Sequence, residues 1–209
     1  VVVMPDGGRG FYTDAVEGYA YESHIMKDTL GFVERYFPVK RSRSHRAIGG
    51  LSMGGYGALR LLLAHPALFS SAVVLSPAVY TPLPPEASST REFGAFGVGE
   101  ELFSAERYAE LNYPAALEHY SGGRSPVRVF IAVGDDEWKH PSPQDALHDL
   151  DMEAHLLYNR LSRVNGVRAE FRVYDGGHDW TVWKQGFADG LVYLADHLRL
   201  SLYRQPTGE

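Results

Sequence analysis

In residues 45–66, "HRAIGGLSMGGYGALRLLLAHP", a short apolar run meets a leucine-rich run at a single serine, Ser52, with glycines on both sides. Glycine inside a helix costs roughly 1 kcal/mol relative to alanine. Yet Gly54, Gly55 and Gly57 fall in the first two turns of a helical segment carrying Leu59, Leu61, Leu62 and Leu63. Gly50-Leu51-Ser52-Met53-Gly54 is a G-x-S-x-G pattern that follows a strand and opens a helix. Such a pattern holds a serine on a sharp, strained turn with its hydroxyl clear of the sheet. A β-carbon two residues before or after the serine is expected to collide at the turn, which accounts for Gly50 and Gly54. Gly55 and Gly57 would let the helix start tight against the neighbouring strand. The Met53 N–H, at the positive end of the helix, faces the same space and is expected to hold a developing oxyanion. The rival readings are a phosphate-binding turn and a plain packing cluster. No G-x-x-x-x-G-K is present, so a P-loop is excluded.

The rest of the chain supplies the sheet that this turn requires. Strand-like runs at 1–4 ("VVVM"), 45–51, 71–76 ("SAVVLS"), 127–133 ("VRVFIAV") and 168–174 ("RAEFRVY") alternate with helical patterns. The helices are predicted over 21–37, from the serine to His65, over 144–164 and over 180–200. In the first of them Ile25, Leu30, Phe32, Val33 and Tyr36 recur at helical spacing, and Pro38 stops it. Strands spaced by helices predict an α/β fold, with a mostly parallel sheet covered on both faces. The 209 residues, 44% hydrophobic and 22% charged, suffice for one domain spanning 1–209. Residues 77–126 exceed a simple crossover and are expected to form a lid or pocket wall. Its aromatics Tyr80, Phe93, Phe96, Phe103 and Tyr108 suit either an acyl or aryl pocket or ordinary core.

Ligands in such sheets collect beyond the C-terminal ends of the strands. A serine hydroxyl needs a base, and nine histidines compete. His178, in "YDGGHDW", follows the last strand in a glycine loop and is the expected base. His24, His119, His155 and His197 fall in helices; His65 ends one, His45 opens a strand at the opposite edge, and His140 lies in a loop. "VGDDEW" places three acids where the fourth strand ends. Gly-x-x-acid spacing from Gly134 selects Glu137, which is the favoured acid; a tighter turn would select Asp136 as the alternate, and Asp135 reads as a turn or cap residue. Asp179 reads as a helix N-cap. His148, Asp149, Asp151, Glu153 and His155 could form a metal site, but a solvated helix face is the simpler reading. No metal or organic cofactor is implied.

A net charge of -6 offers no basic surface for nucleic acid. No apolar run is long enough to span a bilayer, so no membrane partner is expected. With no cysteine, disulfides and thiolate chemistry are excluded; the compartment stays open, with the cytoplasm slightly favoured over secretion.

"GLSMGGYGAL" with "GGHDWTVW" resembles the putative-esterase group of α/β-hydrolases, which includes esterase D, tributyrin, feruloyl and enterochelin-type esterases and the antigen 85 mycolyltransferases. The similarity runs from "VVVMPDGGRGFYTD" through Phe96-Gly97 and "NYPAAL" (112–117) to the last helix. It implies an α/β-hydrolase fold and a serine carboxylesterase acting on a small-molecule carboxylic ester or thioester through an acyl-enzyme. The alternatives are an acyltransferase of the mycolyltransferase type and a non-catalytic binding protein on the same fold; a homo-oligomer is possible. By position, Ser52 would be the nucleophile, His178 the base and Met53 N–H one oxyanion donor. In the family the acid is Asp in many members and Glu in some, which leaves Glu137 and Asp136 both open. Trp180, beside His178, is expected to border the substrate pocket, with Trp183 either sharing that role or packing its helix. The group has further strands before "PDGG", ending in a loop that gives a second oxyanion N–H. This sequence opens on "VVVMPDGG". It is therefore expected to lack the N-terminal strands, as the C-terminal part of a longer polypeptide or a chain needing a partner along one edge. Residues 1–4 would then lie inside or beside an unpaired edge, and the Gly7-Gly8 turn is where a substitute donor would be sought.

Overall fold

Four strands, β1 (Ala47–Leu51), β2 (Ser71–Leu75), β3 (Val127–Gly134) and β4 (Val167–Tyr174), form one wholly parallel sheet in the order β1-β2-β3-β4. The computed structural model describes residues 1–120, 125–138 and 148–202. In β2 and β3 successive side chains divide between the faces, as the two-residue period of a strand requires. Ala72, Val74, Val129, Ile131 and Val133 enter one core with Leu59 and Leu62 of α3 (Met53–Ala64) and Leu157 of α6 (Leu150–Leu161). Val73, Leu75, Phe130 and Ala132 enter a second core with Leu194 of α7 (Trp180–Leu202). Both faces are covered. That explains why β2 and β3 read as continuous apolar runs.

Helix α3 is buried nearly all round, from Gly55 to Leu63, and Arg60 carries its charge outward to Glu22. That glutamate begins a helical stretch in three parts: α1 (Tyr21–Ser23), a π-helical turn (His24–Thr29) and α2 (Leu30–Tyr36). The expected single helix over 21–37 is corrected in this respect. A π turn rotates the later side chains off the 3.6-residue register. Ile25 is buried, whereas Phe32 and Tyr36 stand 57% and 61% exposed.

Residues 1–4 form no strand and are 80%, 79%, 45% and 90% exposed. A β-branched run becomes a strand only when its backbone finds a ladder partner, and among the described residues these four find none. The helix predicted over 144–164 is observed as the shorter α6, which leaves out 148–149 and 162–164; residues 144–147 lie outside the described residues. Within 77–126, α4 (Ala105–Leu111) and α5 (Tyr113–His119) stack beside α3, and Tyr56 O–H donates to Leu111 O (2.6 Å). Phe96 and Tyr108 are fully buried in the main core, edge to face at 4.9 Å. These two are core residues. No helix among the described residues is long and apolar enough to cross a membrane.

Candidate active site

Each strand delivers one polar side chain just beyond its C-terminal end. Ser52 follows β1 with φ +52° and ψ -117°, a conformation costly for a residue with a side chain. Its backbone is fixed on both sides: Ser52 N–H donates to Leu75 O at the end of β2 (2.9 Å), and Ala78 N–H donates to Ser52 O (3.0 Å). A β-carbon at Gly50 would stand 2.3 Å from Gly54 O, so the turn closes only with glycine there. One at Gly55 would meet Leu75 O at 2.9 Å, so α3 starts hard against β2. Gly54 differs from expectation: a β-carbon there finds nothing nearer than the Tyr12 ring at 3.8 Å. The close approach belongs to Gly50, which faces the Gly54 backbone. Met53 opens α3, where the first N–H groups have no intrahelical acceptor.

Two loops carry the other members toward Ser52. The turn after β3 and the glycine loop after β4 interlock: Asp135 N–H donates to Tyr174 O, Asp136 N–H to Gly176 O, and Gly176 N–H to Asp135 Oδ1. They press so close that a β-carbon at Gly134 would stand 2.1 Å from Gly176 O. Gly134 N–H then donates to Glu137 Oε1 (2.8 Å), three residues on, which folds that side chain inward. Asp136, its backbone committed to the second loop, keeps its side chain exposed.

His178 closes the arrangement. Its Nδ1 lies 2.7 Å from Glu137 Oε2, and its Nε2 lies 3.0 Å from Ser52 Oγ. An ionised carboxylate can only accept, so Nδ1 carries the proton and Nε2 is left to accept from the serine hydroxyl. Glu137 is 2% exposed, and its charge is compensated by donors on both oxygens. Trp183 meets the His178 ring edge-on at 4.9 Å and Trp180 meets Trp183 at 5.4 Å, while Trp180 itself is 62% exposed.

The remaining candidates lie elsewhere. Asp179 caps α7, accepting from Thr181 N–H (2.7 Å). His65 ends α3 and reaches Glu22. His24, His119 and His155 bond within their own helical turns, to Asp28, Ala115 O and Asp151 O. His148 meets Glu153 at 3.3 Å while His155 packs on Phe171, so the two do not converge. His140 lies outside the described residues. Gly8 N–H in the Gly7-Gly8 turn is taken by Asp6 Oδ1 (2.8 Å). Ser76, at the end of β2, belongs to no motif, yet it joins the group: its hydroxyl donates to Glu137 Oε1 (2.5 Å) and accepts from Trp183 Nε1 (3.0 Å). Its position beyond a strand's C-terminal end was the available signal.

A family model described as "Putative esterase" matches residues 1–194. An acetyl esterase of Caldicellulosiruptor saccharolyticus is 27% identical over 204 residues, which are 93% of this chain and 71% of that protein. A ferulic acid esterase superposes with a TM-score of 0.60 at 25% identity over 90% of this chain. An S-formylglutathione hydrolase from Agrobacterium tumefaciens superposes with a TM-score of 0.64 at 24% identity, also over 90%, and shares the fold. The chain spans 64% and 63% of those two structures, less than two thirds of each.

Proposed function

Because the chain belongs to the putative esterase family of α/β-hydrolase-fold carboxylic ester hydrolases, we propose that it works as a serine esterase through an acyl-enzyme. Ser52 Oγ attacks the ester carbonyl while His178 Nε2 takes the serine proton. Glu137 keeps Nδ1 protonated and offsets the imidazolium that forms. Met53 N–H faces the developing oxyanion. The imidazolium then returns the proton to the departing alcohol. In the second half, His178 takes a proton from water, whose oxygen attacks the acyl-serine; the imidazolium then gives that proton to the departing Ser52 Oγ, which frees the acid and restores the serine.

The reading is carried by one observation: Ser52, His178 and Glu137 form an unbroken run of two hydrogen bonds across three strand ends. Trp180, exposed against Trp183, would border the acyl or aryl group, with the stretch that follows β2 packed behind the nucleophile. Ala78 N–H on Ser52 O already brings that stretch to the nucleophile. The test is covalent labelling by a fluorophosphonate, with mapping of the labelled residue. It is paired with a panel of aryl esters of increasing acyl length, a feruloyl ester and S-formylglutathione. Label on Ser52 and free acid released without an added acceptor alcohol support the esterase. Acid released only with the acceptor absent and an acyl-alcohol product dominating in its presence would mark an acyltransferase. Absence of label and of turnover would overturn the reading.

A further inference from the structure

Ser76 is fully buried at the end of β2 with φ +40°, its N–H donating to Ala132 O at 2.7 Å. A residue with a β-carbon rarely holds such a φ unless its surroundings over-determine it. Its hydroxyl stands between two groups of fixed character. The Trp183 indole N–H can only donate, and the Glu137 carboxylate can only accept. With the lone pair occupied by Trp183 (3.0 Å), the hydroxyl proton is aimed at Glu137 Oε1. Gly134 N–H holds the same oxygen from the backbone side. Oε1 is thereby fixed by two donors and Oε2 is left to His178. Trp183 also flanks the His178 ring directly, edge-on at 89°.

We infer that Ser76, oriented by Trp183, is a positioning residue for Glu137, setting both the direction of its free oxygen and how much negative charge reaches His178. The inference rests on the esterase reading above, since it assigns Ser76 a part in that same site. A hydroxyl donating to Oε1 draws charge from the carboxylate. Its loss concentrates charge on Oε2, favours the imidazolium, and releases one constraint on the carboxylate plane. A polar contact serving only to satisfy the half-buried Trp183 indole would alter stability and leave the acid limb of the activity profile unmoved.

The experiment measures the rate of fluorophosphonate labelling, and ester kcat and KM, across pH for the wild type, Ser76→Ala, Trp183→Phe and the double variant. Labelling depends on the nucleophile and base and does not require the natural ester. In Ser76→Ala the labelling rate and kcat should each fall about tenfold, with KM within about twofold. The acid limb of the pH profile, which reports the base, should move to higher pH. Trp183→Phe leaves Ser76 in place and keeps the ring, so it provides the test even if Ser76→Ala folds poorly. It should shift the limb in the same direction by less. The double variant should be no slower than Ser76→Ala, because phenylalanine keeps an aromatic ring against His178 and removes only the indole N–H, which acts through Ser76. An unmoved acid limb, or losses that simply add in the double variant, would overturn the inference while labelling of wild-type Ser52 leaves the esterase reading standing. No labelling of the wild type would remove both.

Discussion

A carboxylate held 2% exposed is tolerated only when its hydrogen-bonding capacity is used, and Glu137 uses it on both oxygens. Asp136, one residue earlier, faces solvent and has given its N–H to Gly176. Glu137→Gln should therefore lower kcat by about 10³- to 10⁴-fold, because an amide supports the wrong tautomer of His178. Asp136→Asn should stay within about threefold. Steady-state kinetics on one aryl ester ranks them, and the reverse ranking would move the acid to Asp136. Ser52→Ala and His178→Ala should each cost about 10⁴-fold or more, and the double variant little beyond either. Multiplying losses in the double variant would contradict residues acting as a unit. Circular dichroism of each variant separates lost chemistry from lost folding.

The serine turn and α3 act as one element, and its glycines divide the labour unevenly. A β-carbon at Gly50 meets backbone at 2.3 Å, whereas one at Gly54 meets a tyrosine ring at 3.8 Å. Gly50→Ala should distort the turn and remove most activity; Gly54→Ala should be the milder change, aided by better helix propensity. Equal loss of activity and melting temperature in the two would refute this. At its other end α3 is tied to α1 by Glu22, which binds Arg60 (2.5 Å) and His65 (2.7 Å). Burial pushes the Glu22 carboxyl up, but the His65 hydrogen bond and the Arg60 charge outweigh it, so it titrates below its ordinary value. A group depressed in the folded state stabilises above its unfolded pKa and loses that contribution as pH falls through the folded one. Glu22→Gln should thus cost on the order of 1 kcal/mol near neutrality, discounted for the solvent that still reaches the group. The difference should shrink as pH falls through the lowered pKa of Glu22; a gap undiminished in acid would refute the charge-based tie.

The element boundaries also show what a chain discloses before it folds. β2, β3, α3 and α7 were legible to within a residue or two, because burial on both faces or along one stripe leaves a periodic trace. The π turn left none, since one inserted residue changes the phase of a helix and not its composition. Residues 1–4 carried strand propensity without a partner. Ser52 and His178, singled out from their turns, are brought within 3.0 Å of each other. Spacing from Gly134 favoured Glu137 over Asp136, but the contact that turns Glu137 inward, between the loops after β3 and β4, left no trace in the sequence: Gly134 against Gly176 and Asp135 on Gly176 N–H.

Across the whole molecule, chemistry and cohesion occupy opposite ends of the sheet. Below the strand starts, the Arg43 guanidinium donates to Pro66 O (2.7 Å), Phe69 O (3.1 Å) and Pro126 O (2.9 Å), binding the segments that lead into β2 and β3. Arg43→Ala orphans three carbonyls and should destabilise by about 1–3 kcal/mol, with kcat and KM at permissive temperature unchanged. Denaturant melts and kinetics on the same preparation check it; a fall in kcat without a fall in stability would refute the separation. The sheet order follows the chain order, β1-β2-β3-β4, so the members of the site emerge in turn, Ser52 first and His178 last, 126 residues later. At ribosomal speeds that interval is on the order of ten seconds. On the proposed mechanism, the nascent polypeptide carries through all of it a serine with no base to activate it. The last strand and the loop behind it would then act as an arming step, with catalytic competence arriving only after the rest of the sheet has been made.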